Sequence, residues 1–425
     1  MTDLAIGKTS ALEGTLKAPP SKSYTIRALV AGLLSDGMSK ITDPLYSLDT
    51  KACMKAIGAF GAGINHIEEG LAIEGTGGRI NVPEHVLDTE NSGTTIRILT
   101  GVAGLAHGKI TLTGDASIRR RPIEDLLSAL KQLGVEVESS NGFPPHSVKG
   151  PLAGGVCRIR GDISSQFISS ILMSAPYAIK DTVVKVTSPL KSRPYVDLTL
   201  SVLDRFSVRV ENKDYKSFKI GHDQAYAATD YTVEGDYSSA AFLLAAASIV
   251  DSDVTVKNLF QESKQADKKI LGILRQMGAE LIIGEDYVHV KGGGALNAIT
   301  MDLSDAPDLV PICSVLASVA EGETVIENVE HARLKECDRI HAMAAELGKM
   351  GANVTERKDG LIIRGGKLKG GAVIESWHDH RIVMSMAVAA LAAEGKTTIK
   401  DAEVAAVTYP DFIKDIQKIG VSTGS

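Results

Sequence analysis

Leu126-Leu127-Ser128-Ala129-Leu130-Lys131-Gln132-Leu133-Gly134-Val135-Glu136-Val137-Glu138 puts Leu126, Leu130 and Leu133 on one helical stripe, stops at Gly134 and then alternates at strand period. Asn141-Gly142 follows as a turn signal. The same ending, an apolar residue and a turn closing an amphipathic helix, recurs at Phe60-Gly61, Leu133-Gly134, Phe206-Ser207, Met277-Gly278, Met350-Gly351 and Ile419-Gly420, at spacings of 73, 73, 71, 73 and 69 residues. Each copy holds a second helix that is almost wholly apolar, opening near Ser23, Gly93, Ser164, Ser238, Asp308 and His380, at spacings of 70, 71, 74, 70 and 72. Ile96 to Ala106 is such a segment, and a helix apolar nearly all round belongs in an interior. Six repeats of this kind fix the architecture before any single motif does.

A chain of 425 residues exceeds one compact core, so six units divide most simply three and three. The break is expected near Thr232 to Asp236, and the other crossing at Lys17-Ala18-Pro19-Pro20, where two prolines stiffen an exposed connection. Leu4 to Leu16 alternates like a strand and is expected to complete the C-terminal half, which counting leaves short of one. A formal charge of −6 argues against a nucleic-acid partner, so any cationic site is local. Cys53, Cys157, Cys313 and Cys337 form no CxxC pair, and no charged-then-apolar leader follows Met1. Reduced, buried cysteines and a cytoplasmic location are expected, with no membrane span.

Function is read from the helix starts. Pro20-Ser21-Lys22-Ser23-Tyr24-Thr25-Ile26-Arg27 offers a cap, Ser21 or Ser23, and cations nearby; Asn91-Ser92-Gly93-Thr94-Thr95-Ile96-Arg97 offers a glycine that lets a ligand approach the backbone; Asp162-Ile163-Ser164-Ser165-Gln166 offers two hydroxyls and an amide. Helix N-termini present unpaired N–H donors and about half a positive charge, so several aimed at one crevice bind a polyanion. Ser, Thr, Asn and Asp there are ordinary caps; what capping leaves unexplained is Lys22, Arg27, Arg97, Arg121, Lys335, Arg339 and Arg381 close to the same starts. Arg121-Pro122-Ile123-Glu124 is read as a helix opening with proline in its first turn.

Asp308 is a cap by position and Glu336 a dipole partner, while Lys335 and Arg339, four apart, are placed on one face and Glu336 and Arg339, three apart, pair. Beside a basic site a carboxylate has a second use, removing a proton from a substrate hydroxyl. His378-Asp379-His380-Arg381 invites a metal reading, but its two histidines diverge and no third ligand is indicated, so no metal is expected.

Ser21-Lys22-Ser23 with Arg27, Asn91-Ser92-Gly93-Thr94 with Arg97, Arg121-Pro122-Ile123, Ser164-Ser165-Gln166, Glu234-Gly235-Asp236, Lys335-Glu336 with Asp338-Arg339, and Asp379-His380-Arg381 together resemble the enolpyruvyl transferase family of 3-phosphoshikimate 1-carboxyvinyltransferase, or EPSP synthase, in order from about Leu4 to Phe412. The resemblance implies an α/β (α+β) fold of two similar domains, each an inside-out α/β barrel of three βαβαββ units with buried apolar helices. It places 19–234 in one domain and 1–18 with 235–425 in the other, with both substrates in the interdomain cleft. It implies attack of the 5-hydroxyl of shikimate 3-phosphate on C2 of phosphoenolpyruvate, protonation at C3 and loss of phosphate from a tetrahedral intermediate, with no cofactor and no metal. By the same resemblance Lys22, Ser23, Arg27, Ser164, Ser165, Gln166, Ser192, Tyr195, Asp308 and Lys335 contact shikimate 3-phosphate. Lys22, Gly93, Arg121, Gln166, Arg339 and Arg381 contact phosphoenolpyruvate; Asn91, Thr94, Arg97, Asp379 and His380 support them. Asp308 matches the proton acceptor, and Glu336 with Lys22 the pair for proton transfer at C3. Glyphosate, a family inhibitor, is placed beside Gly93, and the chain is expected to act as a monomer on small anionic substrates.

Two positions depart from the family pattern. Val407 precedes Thr408-Tyr409-Pro410 where many members carry lysine, and His331 stands where asparagine is common. Two rival readings are a UDP-N-acetylglucosamine enolpyruvyl transferase and a noncatalytic anion-binding protein of the same fold. The first resembles a Lys-Asn pair at the first motif and a loop cysteine, against Lys22-Ser23 here with neither Cys53 nor Cys157 in such a loop; in the second, Asp308, Glu336 and Lys22 are surplus.

Overall fold

Residues 3–424 are described by the computed structural model, and the helices among them are of two alternating kinds. Those apolar on all sides are α1 (Lys22–Leu34), α3 (Gly93–Ala103), α5 (Ser165–Ser174), α7 (Tyr237–Ile249), α9 (Val310–Val319) and α11 (His380–Ala392). The amphipathic ones are α2 (Leu48–Ala59), α4 (Glu124–Gln132), α6 (Arg193–Arg205), α8 (Lys269–Gln276), α10 (Arg339–Lys349) and α12 (Phe412–Lys418). Each amphipathic helix ends where the repeat predicts: Phe60, Leu133, Phe206, Met277, Met350 and Ile419 are the C-caps, none more than 2% exposed. The next residue is left-handed every time, Gly61, Gly134, Gly278, Gly351 and Gly420 with Ser207 as the sixth, which is how a helix stops by an αL turn.

The chain forms two compact units, one of Pro20–Val233 and one joining the residues through Pro19 to those from Glu234 onward. Among the described residues six four-stranded sheets share one order, a parallel pair extended by an antiparallel pair, which in all but one of them is a hairpin. In the second repeat Leu87–Asp88 runs parallel to Lys109–Thr113 across α3, and Lys109–Thr113 pairs antiparallel with Phe143–Lys149, which pairs with Glu136–Ser140 through the Asn141-Gly142 turn. Asn141 and Gly142 both have positive φ, as a tight hairpin turn of this hand requires. Buried helices come together closely: Gly101 on α3 donates its N–H to Ser170 Oγ on α5 at 3.0 Å, and a Cβ at Gly101 would meet Ser170 O at 2.6 Å.

The chain ends close the repeats differently in the two units. Asp230–Thr232 returns to pair with Met38–Thr42 in the first. In the second, the N-terminal segment supplies two strands, where one is expected from the sequence: Ala11–Lys17 lies parallel to Asp251–Lys257, and Leu4–Ile6 lies between Thr397–Ile399 and Thr423–Gly424. The Lys17–Pro20 connection also differs from expectation, since Ala18 is fully buried. Its N–H donates to Lys257 O at 3.0 Å, and Pro19 O accepts from Asp236 N at 2.7 Å, so backbone pairing buries Ala18.

One buried titratable group is set by this packing. His146, 1% exposed, meets Thr100 Oγ1 at 2.8 Å through Nε2, and Thr100 already donates its hydrogen to Ile96 O at 2.7 Å. The ring therefore carries its proton on Nε2, and Nδ1 is buried with no hydrogen-bond partner. Burial pulls the imidazole pKa down to about 4. The unfolded chain takes up this proton near pH 6.5 and the folded chain only near 4, so stability falls as pH drops through that window. Between pH 7 and pH 5 wild type should lose roughly 2 kcal/mol that His146→Gln does not. Chemical unfolding at the two pH values checks this, and parallel losses would contradict a neutral buried imidazole.

Candidate active site

Three helix starts carry the predicted groups of the Pro20–Val233 unit. Ser21 caps α1 by accepting from Tyr24 N, Ser92 caps α3 by accepting from Thr95 N, and Ser164 caps α5 by accepting from Gln166 N. Capping is thus done by one residue at each start, and the groups beside it engage other partners. Lys22 Nζ pairs with Asp49 Oδ2 at 2.9 Å in the first turn of α2. Arg27 is fully buried and donates to Thr199 Oγ1 at 2.8 Å, Ser23 O at 3.0 Å, and Ser169 Oγ and Tyr195 O at 3.5 Å. Burial lowers its pKa only to about 10, so it is a cation at neutral pH. Gln166 joins two starts, accepting from Arg97 Nη1 at 2.7 Å and donating to Thr94 Oγ1 at 3.0 Å, and Arg97 lies over the Phe167 ring at 5.5 Å. Ser165 is buried in the first turn of α5, and Ser192, left-handed at φ 56°, leads into α6 next to Tyr195.

Arg121 sits differently from its sequence reading. It follows the 3-10 turn Ile118–Arg120 in an extended conformation, and α4 begins at Glu124, so Pro122 precedes the helix rather than lying in its first turn. The residue before proline is biased to extended backbone, and this is what turns Arg121 back toward α3. Its Nη2 donates to Ser117 Oγ at 3.0 Å. A Cβ on Gly93 would come within 2.6 Å of Arg121 Nη1, so glycine is what lets the guanidinium rest on the α3 start. Asn91, just before that start, donates to Asp115 Oδ2 at 2.7 Å.

In the other unit the predicted residues converge on one guanidinium. Arg339, 1% exposed, donates from Nε to Asp379 Oδ2 at 2.7 Å, from Nη1 to Asp308 Oδ1 at 2.7 Å, and from Nη2 to Glu336 Oε2 at 2.6 Å and Asp379 Oδ1 at 3.3 Å. Burial alone would lower its pKa; Asp379, Glu336 and Asp308 outweigh that and hold it well above the ordinary value. Burial pushes the Asp379 carboxyl up, and Arg339 more than reverses this, leaving it lowered. Asp308 also receives Arg381 Nη2 at 3.0 Å and Lys335 Nζ at 3.4 Å. Its side chain keeps 16% exposure against 1% for Arg339, so the carboxylate is the part a ligand reaches. Asp379 caps α11 through Arg381 N at 2.9 Å, and His380 is buried behind it.

Three local readings are corrected here. Asp308 makes no side-chain cap; it lies inside the 3-10 turn Pro307–Leu309, and α9 starts at Val310. Lys335 precedes α10, which starts at Arg339 with Asp338 as its cap, so the two cations share Asp308 and not a helix face. Cys337 is only half-buried, and its Sγ lies 3.6 Å from Asp379 Oδ2. Val407 is buried at the end of the 3-10 segment Ala402–Val407, and His331 lies in the segment Glu330–Leu334. Among the described residues no cluster suited to a metal occurs, and no helix is long and apolar enough to cross a membrane.

Sequence reasoning missed Asp49 and Asp267. Asp49 in Ser47-Leu48-Asp49-Thr50 reads as a first-turn acid, and only the fold brings it to Lys22. Asp267, 1% exposed, accepts from Ser238 Oγ; burial and the negative charge of Asp308 push its carboxyl up to about 7.

The sequence model of EPSP synthase (3-phosphoshikimate 1-carboxyvinyltransferase) matches residues 6–416. A 3-phosphoshikimate 1-carboxyvinyltransferase of Methanocaldococcus jannaschii is 46% identical over 423 residues, covering 99% of this chain and 98% of the relative. One from Methanococcus aeolicus is 46% identical over 429 residues, covering 99% of each. The solved EPSP synthase from Acinetobacter baumannii superposes with a TM-score of 0.84 at 30% identity over 100% of both chains. With that match across nearly its whole length, the chain belongs to the EPSP synthase family.

Proposed function

We infer that this chain transfers the enolpyruvyl group of phosphoenolpyruvate to the 5-hydroxyl of shikimate 3-phosphate and releases phosphate, with Asp308 as the proton acceptor. The observation that carries the residue assignment is the sharing of Asp308 by Arg339, Arg381 and Lys335. Arginine forks bind carboxylate and phosphate oxygens in pairs, so the groups that hold Asp308 are suited to an incoming anion. A bound anion competes for these cations, leaving the Asp308 carboxylate to accept the hydroxyl proton as oxygen attacks C2. Lys22 and Glu336 serve proton transfer at C3, and Arg121 faces the charge that develops on the phosphoryl and carboxyl groups. Elimination of phosphate then returns the C3 proton and regenerates the double bond. Arg27, Ser23, Ser164, Ser165, Gln166, Ser192 and Tyr195 are assigned to shikimate 3-phosphate. The chain is proposed to act as a cytoplasmic monomer, without metal or organic cofactor.

Phosphate release from phosphoenolpyruvate, measured with shikimate 3-phosphate, shikimate and UDP-N-acetylglucosamine as parallel acceptors, tests the reading. Release with the first alone is expected; release with the nucleotide sugar alone would move the chain to the sister reaction, and silence with all three would leave a binding protein. Asp308→Asn should abolish turnover yet bind inorganic phosphate roughly tenfold more tightly, about 1.4 kcal/mol, because a competing anion is gone. Calorimetry checks this, and weaker binding would show that Asp308 does not compete. Arg121→Ala should lower kcat about 10²- to 10³-fold; steady-state rates near wild type would remove Arg121 from the reaction. In Gly93→Ala the new methyl group displaces Arg121, and the KM for phosphoenolpyruvate should rise by roughly tenfold or more while that for shikimate 3-phosphate holds. An unchanged ratio of the two KM values would place Arg121 away from phosphoenolpyruvate.

A further inference from the structure

Asp379 is held in place by a turn whose backbone is unfavourable by itself. Trp377 and His378 are consecutive non-glycine residues at φ 52° and 51°, the left-handed region that costs L residues energy and persists only where the surroundings over-determine it. The restraints are visible. Glu346, 1% exposed on α10, accepts from Trp377 Nε1 at 2.8 Å through one carboxylate oxygen, and from Glu375 N at 3.1 Å and Lys349 Nζ at 2.7 Å through the other. His341 of the same helix meets the Trp377 ring edge-on at 5.6 Å between centroids. Ser376 Oγ accepts from His378 N at 3.2 Å and donates to Asp401 Oδ2 at 3.1 Å, and Ser376 O accepts from Asp379 N at 3.0 Å.

Glu346 stands seven residues after Arg339, two turns along one face of α10. The segment from Glu375 to Asp379 is therefore stitched to that helix at two points, by Glu346 at one end and by the Arg339–Asp379 pair at the other. We propose that Glu346 and Trp377 are positioning residues: their hydrogen bond sets the turn that aims Asp379, and Asp379 in turn fixes the Arg339 fork that meets the anionic substrate. This rests on the assignment of Arg339 to phosphoenolpyruvate. A group that sets orientation acts on the ligand it orients, whereas a merely structural group affects both substrates and stability together.

The full chain carrying Trp377→Phe keeps an aromatic ring at the site but loses the Nε1–H donor along with the five-membered half of the indole; Glu346→Gln keeps one acceptor oxygen. Two readings are taken on wild type and both variants: KM for each substrate, and calorimetric affinity for inorganic phosphate. Trp377→Phe should raise the KM for phosphoenolpyruvate about tenfold and weaken phosphate about as much, with the KM for shikimate 3-phosphate within about twofold. Glu346→Gln should shift in the same direction by less. Unchanged phosphoenolpyruvate KM and phosphate affinity, both substrate KM values rising in step, or failure of both variants to fold would each overturn the proposal. A wild-type chain that releases no phosphate would speak against the reaction alone, and the phosphate affinities would then decide the positioning role.

Discussion

The guanidinium of Arg339 is the constraint on which one unit's site depends. A cation taken fully out of water must be matched by anions with good geometry, or its desolvation costs several kcal/mol. Here Asp308, Glu336 and Asp379 surround it at 2.6 to 2.7 Å. Lys335 and Arg381 supply two further cations at Asp308, so three carboxylates face three cations and their charges balance. Asp267 would be one negative charge too many, which agrees with its carboxyl being pushed up to about 7, first by burial and then by Asp308. An entering anion upsets this balance, and the group left to take a proton is the most exposed of the three, Asp308 at 16% against 13% for Glu336 and none for Asp379.

Capping and function fall on different residues at the same helix starts. Ser21, Ser92, Ser164, Asp236 and Asp379 accept from the first-turn N–H groups of α1, α3, α5, α7 and α11. Because those residues close the helices, their neighbours Lys22, Gly93 and Gln166 are used for other contacts. A cap, by fixing where the first turn begins, also fixes the directions of the side chains that follow it. At α1, α3 and α5 the repeat thus places similar starts, and Lys22, Gly93 and Gln166 stand one or two residues after their caps.

The fold was legible because its signal is periodic. An apolar residue and a turn at spacings near 70 residues marks the end of each amphipathic helix, and the structure puts a buried C-cap at each. Local spacing failed where tertiary pairing decides. Lys335 and Arg339 look like helix neighbours and meet only through Asp308; Asp308 looks like a cap and lies in a 3-10 turn; Pro122 looks like a first-turn proline and precedes α4. Asp49 and Glu346 carried no signal at all, since each acts through a partner 27 or 31 residues away. The motif residues were found as a set through family resemblance, whereas the second strand given by the N-terminal segment needed the sheet registers.

The most direct test of the charge-exchange account is a crystal structure of the chain with phosphoenolpyruvate bound, read at the Asp308 carboxylate. Arg381 Nη2, now 3.0 Å from Asp308 Oδ2, should have moved to the anion while Arg339 Nε stays on Asp379. Arginines still paired with Asp308 at these distances, with the anion bound by other groups, would contradict it.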